Sequence, residues 1–413
     1  MAKVAIITDV LGSDGAVFGG GAERQTFQLA RLAIAAGADV TVYQGSKQAG
    51  VGLIEGVRVR SLAVTNGSIW SSATRQAIAD GNERFHYKYL AHVPRAARSL
   101  RASATHFAIY WDIPFEKKLS NWYPLGSVAR FYLPTWRRWN KRRCMAALRR
   151  CREVLADNTS LIRLVQSDSP NLRDRIFYAP NFSDLKPDRG NPRAADCAVP
   201  EIDQAKREGR LIILVPRNLT LKQGIASLPE LVEALHNSGG HDCQFIVTGR
   251  FINALPQTAH YKEQLEIALR SMSPRARHRL TFLHGVKHEF MPYCYAAADI
   301  VVLPSFASEG TPLAAIEAMT FGKPIVATNI GGLNDVIDDG VNGMLVRPST
   351  DDLAAAIRLL VRDHDLCARL GAAARSKAER QFSLAAWESR VLPFMDRNGW
   401  FAENGSLTKK KYH

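Results

Sequence analysis

KVAIITDVLGSDGAVFGGGAERQTFQLARLAIAAGADVTVY, residues 3–43, places four signals in an order that restricts the fold. KVAIIT is a short apolar run of β type, and a loop ending in Gly19-Gly20-Gly21 follows it. AERQTFQLARLAIAA then carries Phe27, Ala30 and Ile34 at helical spacing and stops at Gly37, a natural C-cap. ADVTVY reads as a second strand. Strand, glycine turn, helix and strand in succession open a Rossmann-like unit.

The same grammar restarts at LIILVP, residues 211–216, with a polar loop holding Arg217 and Lys222, a helix over about 224–237 and the strand QFIVTG. Beyond it come LTFLHG, a helix around HEFMPYCYAAAD, the strand IVVLPS, another helix, PIVAT and the hairpin-like DDGVNGMLV. Alternation of strands and helices in both halves predicts an α/β chain of two doubly wound parallel sheets. The length of 413 residues agrees with two domains of roughly 200 residues. SDLKPDRGNPRAADCAVPEIDQAKREG is rich in Pro, charge and small residues, which puts the connection within about 183–208. The expected boundaries are 1–195, 205–380, a helix at 381–398 and a disordered tail at 399–413. Two such domains facing across a cleft would bind a nucleotide-type ligand at the C-terminal ends of their strands.

Composition is that of a soluble globular protein. No stretch reaches the roughly 18 apolar residues of a membrane span, and KVAIIT follows the initiating residues without a secretory signal pattern, so a cytoplasmic location is expected. Cys144, Cys151, Cys197, Cys243, Cys294 and Cys367 show neither CxxC nor zinc spacing, and read as reduced, mostly buried thiols. The formal charge of +15 is uneven: residues 1–190 hold 28 Lys+Arg against 15 Asp+Glu. That field suits any anion, be it nucleic acid, anionic lipid or an acidic substrate. No nucleic-acid module accompanies it, so no nucleic-acid partner is expected. A dinucleotide-dependent dehydrogenase fits poorly, because GGGAER lacks GxGxxG directly after the strand and no acid ends VTVYQ.

SEGTPLAAIE, residues 308–317, decides the chemistry. Thr311 is a favoured N-cap and Pro312 a favoured first helical residue, so a helix should begin at Pro312, run through LAAIEAM and stop at Gly322 and Pro324. Glu309 then lies in the loop before it and Glu317 inside it. A helix N-terminus offers N–H groups to a phosphate, and ionised carboxylates each accept several hydroxyl bonds. Arg217 and Lys222 would add fixed cations at the same end of the sheet.

The segment PSFASEGTPLAAIEAMTFGKPIVATNIGGLNDVIDDGVNGMLV, with Glu309 and Glu317 eight apart, resembles the donor-site signature of glycosyltransferase family 4, retaining enzymes of the GT-B fold. GGGAERQ, the Arg217–Lys222 loop, ADIVVLPS and the late FSLAAWESRV are similar to other family marks. The resemblance implies a nucleotide-diphosphate sugar as donor, bound without metal or separate cofactor. It implies that Glu309 contacts the donor sugar, Glu317 the ribose, Arg217 and Lys222 the diphosphate, and the backbone of Gly310, Thr311, Pro312 and Leu313 the phosphate. Gly20 and Gly21 would let the first domain approach the reacting sugar, although turn glycines precede many helices. It further implies that the last helix crosses back to the first domain and that the product belongs to polysaccharide or glycolipid biosynthesis.

ATHFAIYWDIPF, residues 104–115, is similar to a family segment ending in a histidine, but Asp112 stands where that histidine is expected. Asp112 could accept the acceptor's proton or be an N-cap; His106 reads as a core residue. In WRRWNKRRCMAALRRCREVLA, residues 136–156, Cys144, Leu148, Cys151 and Leu155 read as the buried stripe of one helix. Its other face carries Arg137, Arg138, Lys141, Arg142 and Arg143 beside Trp136 and Trp139, which suits either solvent or the anionic inner leaflet of a membrane. The expected acceptor is a saccharide or, if this face touches lipid, a lipid-linked one. A catalytically silent scaffold on the membrane is the competing reading; Asp112 in place of histidine supports it, and the four retained donor residues oppose it.

Overall fold

The structure, a computed structural model, describes residues 1–9, 12–13, 16–17, 20–63, 69–106, 126–187, 199–236, 242–251, 258–307 and 309–401. Cys197, Asp112 and the tail beyond residue 401 lie outside them. The chain divides into two compact units. The described parts of the first come from Met1–Ala108, Trp136–Asn181 and the stretch from Leu384; the second includes Phe182–Ser383.

In the first unit the strands are β1 Lys3–Ile7, β2 Asp39–Ser46, β3 Gly50–Ile54, β4 Val57–Ala63, β5 Arg84–Tyr87, β6 Arg101–His106, β7 Glu153–Ala156 and β8 Ile176–Tyr178. They form one sheet in the order β8-β7-β6-β5-β1-β2-β4-β3. All pairings are parallel except β3 with β4, a hairpin turned at Glu55-Gly56. Both turn residues have positive φ, 46° and 84°, as a two-residue hairpin loop requires. Central β1 is buried on both faces at Val4, Ala5, Ile6 and Ile7, which is why it reads as an unbroken apolar run.

The helix Gly21–Ala35 follows the glycine turn as expected, but its buried face is Phe27, Leu29, Ala30 and Ala33, while Ile34 is exposed. The long helix Gly126–Leu148 corrects the stripe read from sequence. Cys144 and Leu148 are buried on it, whereas Cys151 follows its end and Leu155 belongs to β7. The helix Leu384–Arg397 packs in this unit through Trp387, Val391, Phe394 and Met395. Arg397 Nε and Asn398 Nδ2 donate to the two oxygens of Glu153 at 2.6 and 2.9 Å, and the Trp400 and Phe394 rings meet that of His86 in T-shaped contacts.

The second unit holds β9 Leu211–Val215, β10 Cys243–Val247, β11 Leu280–Phe282, β12 Ile300–Leu303, β13 Ile325–Thr328 and β14 Met344–Val346. Their order is β11-β10-β9-β12-β13-β14, and every pairing is parallel. DDGVNGMLV is therefore a turn leading into a parallel strand rather than a hairpin. Alternate residues feed two separate cores: Ile212, Leu214 and Val301 one, Ile213, Val215 and Val302 the other. Both faces are covered, as a doubly wound sheet demands. Pro200–Arg207, within the stretch read as connection, is a helix whose Ile202 and Ala205 enter the first of these cores.

Candidate functional site

Four neighbouring strands of the second unit, β10, β9, β12 and β13, release their chains at one edge of the sheet, where parallel α/β sheets bind ligands. Arg217, two residues past β9, has a side chain only 4% exposed. Its Nη2 donates to Ser305 Oγ at 2.5 Å and to Glu309 Oε2 at 2.8 Å. Ser305 is fixed in turn, since its carbonyl accepts from Thr328 Oγ1 at 2.6 Å. The Glu309 carbonyl accepts from the Gly332 N–H at 3.0 Å. Three loops thus converge on one ion pair.

Two glycines permit that convergence. A Cβ on Gly249 would stand 2.0 Å from the Arg217 carbonyl oxygen, and one on Gly224, at φ 72°, 1.6 Å from that of Pro304. Backbone meets backbone at both places, so no larger residue fits. Lys222, half-buried, lies in the same loop, and its carbonyl accepts the Phe306 and Ala307 N–H groups at 2.9 and 3.2 Å.

The helix Leu313–Thr320 differs by one residue from the expected start. Pro312 is its N-cap, extended at ψ 126°, and no side chain caps it. Gly310, Thr311 and Pro312 are buried leading into it, and Leu313 is half-buried. The unpaired N–H groups of a first helical turn point back along the axis toward this lead-in. Ala314 to Met319 are all buried, including Glu317 at 7%. A carboxylate there requires a donor, and Tyr295 supplies it: its hydroxyl lies 2.8 Å from Glu317 Oε2. Burial, and next the Glu317 charge, push the Tyr295 phenol well above its ordinary pKa, so it remains a donor.

Among the described residues, Arg217 Nε and Glu309 Oε1 are buried without a hydrogen-bond partner. Each such group costs roughly 1–3 kcal/mol until something meets it. One is a cationic donor and the other an anionic acceptor. The site can therefore engage a ligand carrying both an anionic oxygen and a hydroxyl.

Residues 201–377 match the family model described as glycosyl transferases group 1. The chain is 31% identical over 229 residues to a D-inositol 3-phosphate glycosyltransferase of Nocardia farcinica, a match covering 52% of this chain and 49% of that protein. The chain thus spans about half the length of this curated relative. Among solved structures it superimposes on sucrose-phosphate synthase from Thermosynechococcus elongatus with a TM-score of 0.73 at 18% identity, covering 96% of this chain and 99% of that one. Anabaena Alr3699/HepE in complex with UDP-glucose gives 0.68 at 16% identity, over 96% and 100% of the two chains. These likenesses show the fold, which is GT-B.

Within residues 201–377 the structure brings Arg217, Lys222 and Glu309–Glu317 to one sheet edge. Sequence reasoning missed Ser305, Tyr295 and Thr328, whose partners lie 88, 22 and 23 residues away. Gly20 and Gly21 belong to the first unit, at the head of the Gly21–Ala35 helix. His106 ends β6, 4% exposed, and burial pushes its imidazole down to about 4. Asp112 falls outside the described residues. No helix among those residues is long and apolar enough to cross a membrane.

Proposed function

We propose that the chain is a retaining glycosyltransferase that moves a hexosyl group from a nucleotide-diphosphate sugar to a sugar or lipid-linked acceptor, in polysaccharide or glycolipid biosynthesis. One observation carries the reading: Arg217 and Glu309 are paired at 2.8 Å, yet each retains one buried, unmet hydrogen-bonding atom of opposite character. A sugar diphosphate supplies the complement of both. Arg217 Nε–H donates to a phosphate oxygen, and Glu309 Oε1 accepts from a sugar hydroxyl. The backbone of Thr311, Pro312 and Leu313 lies where a helix N-terminus attracts phosphate, and Lys222 adds a cation. Glu317 serves the ribose.

In the transfer, the bond between the anomeric carbon and the phosphate oxygen breaks, and its electron pair leaves with the nucleoside diphosphate. The acceptor oxygen bonds that carbon on the face the diphosphate leaves, and its proton passes to the departing phosphate oxygen. Arg217, Lys222 and the helix terminus stabilise the departing charge, the role that fixed positive groups play in electrostatic catalysis. No metal is required in this scheme. The UDP-glucose complex of the structural neighbour supports a nucleotide-sugar donor. A peripheral place on the cytoplasmic face, through the basic helix Gly126–Leu148, completes the reading.

The test is a panel of UDP-, GDP- and ADP-sugars, scored by the rise in melting temperature of the purified chain. One of them should raise it, and Glu309→Gln should abolish transfer while folding persists. If no nucleotide sugar stabilises the wild type, the reading fails.

A further inference from the structure

The first unit has its own convergence of strand ends, at β1, β2 and β5, and at its centre lies a lysine with no exposed surface. Lys88, the residue after β5, donates to Asp9 Oδ1 at 2.8 Å and to Glu23 Oε1 at 2.9 Å. A buried ammonium is tolerated only when paired in this way. Its two partners come from distant parts of the chain: Asp9 follows β1, and Glu23 sits in the first turn of the helix behind Gly20 and Gly21.

The three groups are unequally placed. The Lys88 side chain is 0% exposed and that of Glu23 22%, whereas that of Asp9 is 49% exposed. Asp9 is also held by its neighbours. Its carbonyl accepts the Gly45 N–H from β2 at 2.6 Å, and its Oδ1 accepts from Thr8 Oγ1 at 3.1 Å. Thr8 and Lys88 both address Oδ1, which orients the carboxylate. Two carboxylates around one ammonium leave the cluster with a net negative charge, so it favours a hydroxyl donor over an anionic group.

An aromatic surface adjoins it. The His92 and Trp70 rings are stacked, 4.5 Å apart at 7°, and Tyr89 meets both edge-on while lying 5.1 Å from Lys88 Nζ. Trp70 is buried and His92 exposed, so the accessible ring of the stack is the imidazole, backed by an indole. A flat ring beside an oriented carboxylate suits a molecule with an apolar C–H face and hydroxyl edges.

We propose that Asp9 receives a hydroxyl of a neutral, polyhydroxylated acceptor packed against His92, with Lys88 as the positioning residue that holds the Asp9 carboxylate in place. This rests on the sugar-transfer reading above. Without Lys88 the two carboxylates would repel each other and Asp9 would lose the partner that fixes its direction.

The experiment uses the full chain, the nucleotide sugar that raises its melting temperature, and octyl glycosides of glucose, galactose and mannose as acceptor probes. The wild type should transfer to at least one of them and less well to the corresponding sugar phosphates. Asp9→Asn should raise the acceptor KM at least tenfold, with the donor KM and the donor-induced thermal shift within twofold of wild type. Lys88→Met should give the same split, Lys88→Arg should recover part of it, and the double variant should lose no more than either single one. Equal acceptor KM in Asp9→Asn, a parallel rise in both KM values, or a wild type that transfers to sugar phosphates alone or to no glycoside, overturns the assignment. Failure of every nucleotide sugar to stabilise the wild type would instead sink the donor reading. Asp9→Asn, at a half-exposed position, keeps the test decisive should Lys88→Met fail to fold.

Discussion

Arg217 and Glu309, 92 residues apart in the chain, meet at 2.8 Å past the ends of β9 and β12, and the same Arg217 Nη2 donates to Ser305 Oγ at 2.5 Å. Both strands are central to their sheet. Removing one partner strands the other in a site where Arg217 is nearly sealed from water. Arg217→Met should therefore lower stability by about 3 kcal/mol, as breaking a largely buried pair does. It should also abolish the thermal shift given by the nucleotide sugar. Urea denaturation with and without donor checks both; unchanged donor stabilisation in this variant would remove Arg217 from the site.

Gly224 tests the loop that carries Lys222. At φ 72°, with the Pro304 carbonyl oxygen 1.6 Å from where a Cβ would sit, Gly224→Ala has no relaxed solution short of moving backbone. The expected loss is at least about 2 kcal/mol, beyond an ordinary surface change. Gly52, whose added Cβ would meet nothing within 4 Å, is the control, and Gly52→Ala should stay within about 0.5 kcal/mol of wild type. Thermal unfolding of the two variants side by side gives the comparison.

The parts of the site written in local sequence were legible, and those written in long-range contacts were not. β1 and β9 are buried on both faces, so they read as uninterrupted apolar runs. The glycine turn and the Gly37 stop bracket a helix by backbone chemistry alone. Small residues misled where burial depends on the neighbour: Ala33 is buried and Ile34 exposed, the reverse of what hydropathy favours. Cys151 and Leu155 continued a helical spacing after the helix had ended at Leu148, Cys151 in the connection and Leu155 in β7, a strand buried along its length. Thr311 and Pro312 offered two adjacent capping residues, and the extended ψ of Pro312 settled the start one residue later. Lys88 gave no signal at all, since its partners lie 79 and 65 residues away.

His86 predicts an acid limb in stability. It sits within the first unit between Ser103 Oγ at 2.8 Å and Thr105 Oγ1 at 2.7 Å, and burial pushes its imidazole down to about 3 from 6.5. Its folded pKa is depressed, so the unfolded chain binds the proton first. Stability from this group is full above pH 6.5 and is lost as pH falls toward 3. The slope is about 1.4 kcal/mol per pH unit for one histidine well inside that window. His106, pushed down to about 4, adds a similar slope above its own limit. Urea midpoints between pH 7.5 and 5 should show the decline, and His86→Gln should flatten it by one histidine's share.

Trp387 anchors the terminal helix to the first unit with no exposed surface, beside Phe394 and Met395, which are equally buried. Trp387→Ala should cost about 3–5 kcal/mol, the range for a large aromatic removed from a packed core. Glu153→Ala should cost less, because it removes two hydrogen bonds at the helix's far end and no apolar volume. A Trp387→Ala loss smaller than that of Glu153→Ala would show that the helix is held by its polar end rather than by its apolar face. Denaturant titration of both variants decides between them.

The basic helix gives the membrane prediction. Arg138 and Arg142 are exposed four residues apart, and Trp139 is 50% exposed. Arg143 lies 4.4 Å over the Trp139 ring and donates to the Ala91 carbonyl at 2.8 Å, which fixes the indole's position. Lys141 is spent on Asp168. Exposed arginines flanking a half-exposed tryptophan suit an anionic lipid surface, where each basic residue contributes about 1 kcal/mol. Replacing both arginines, Arg138→Gln with Arg142→Gln, should therefore weaken binding to phosphatidylserine-containing vesicles roughly 30-fold, since 1.4 kcal/mol is tenfold. Raised salt should weaken the wild type in the same direction. Sedimentation with phosphatidylserine and with pure phosphatidylcholine vesicles measures it, and equal binding to the two would remove the lipid surface from the proposed function while leaving the donor site untouched.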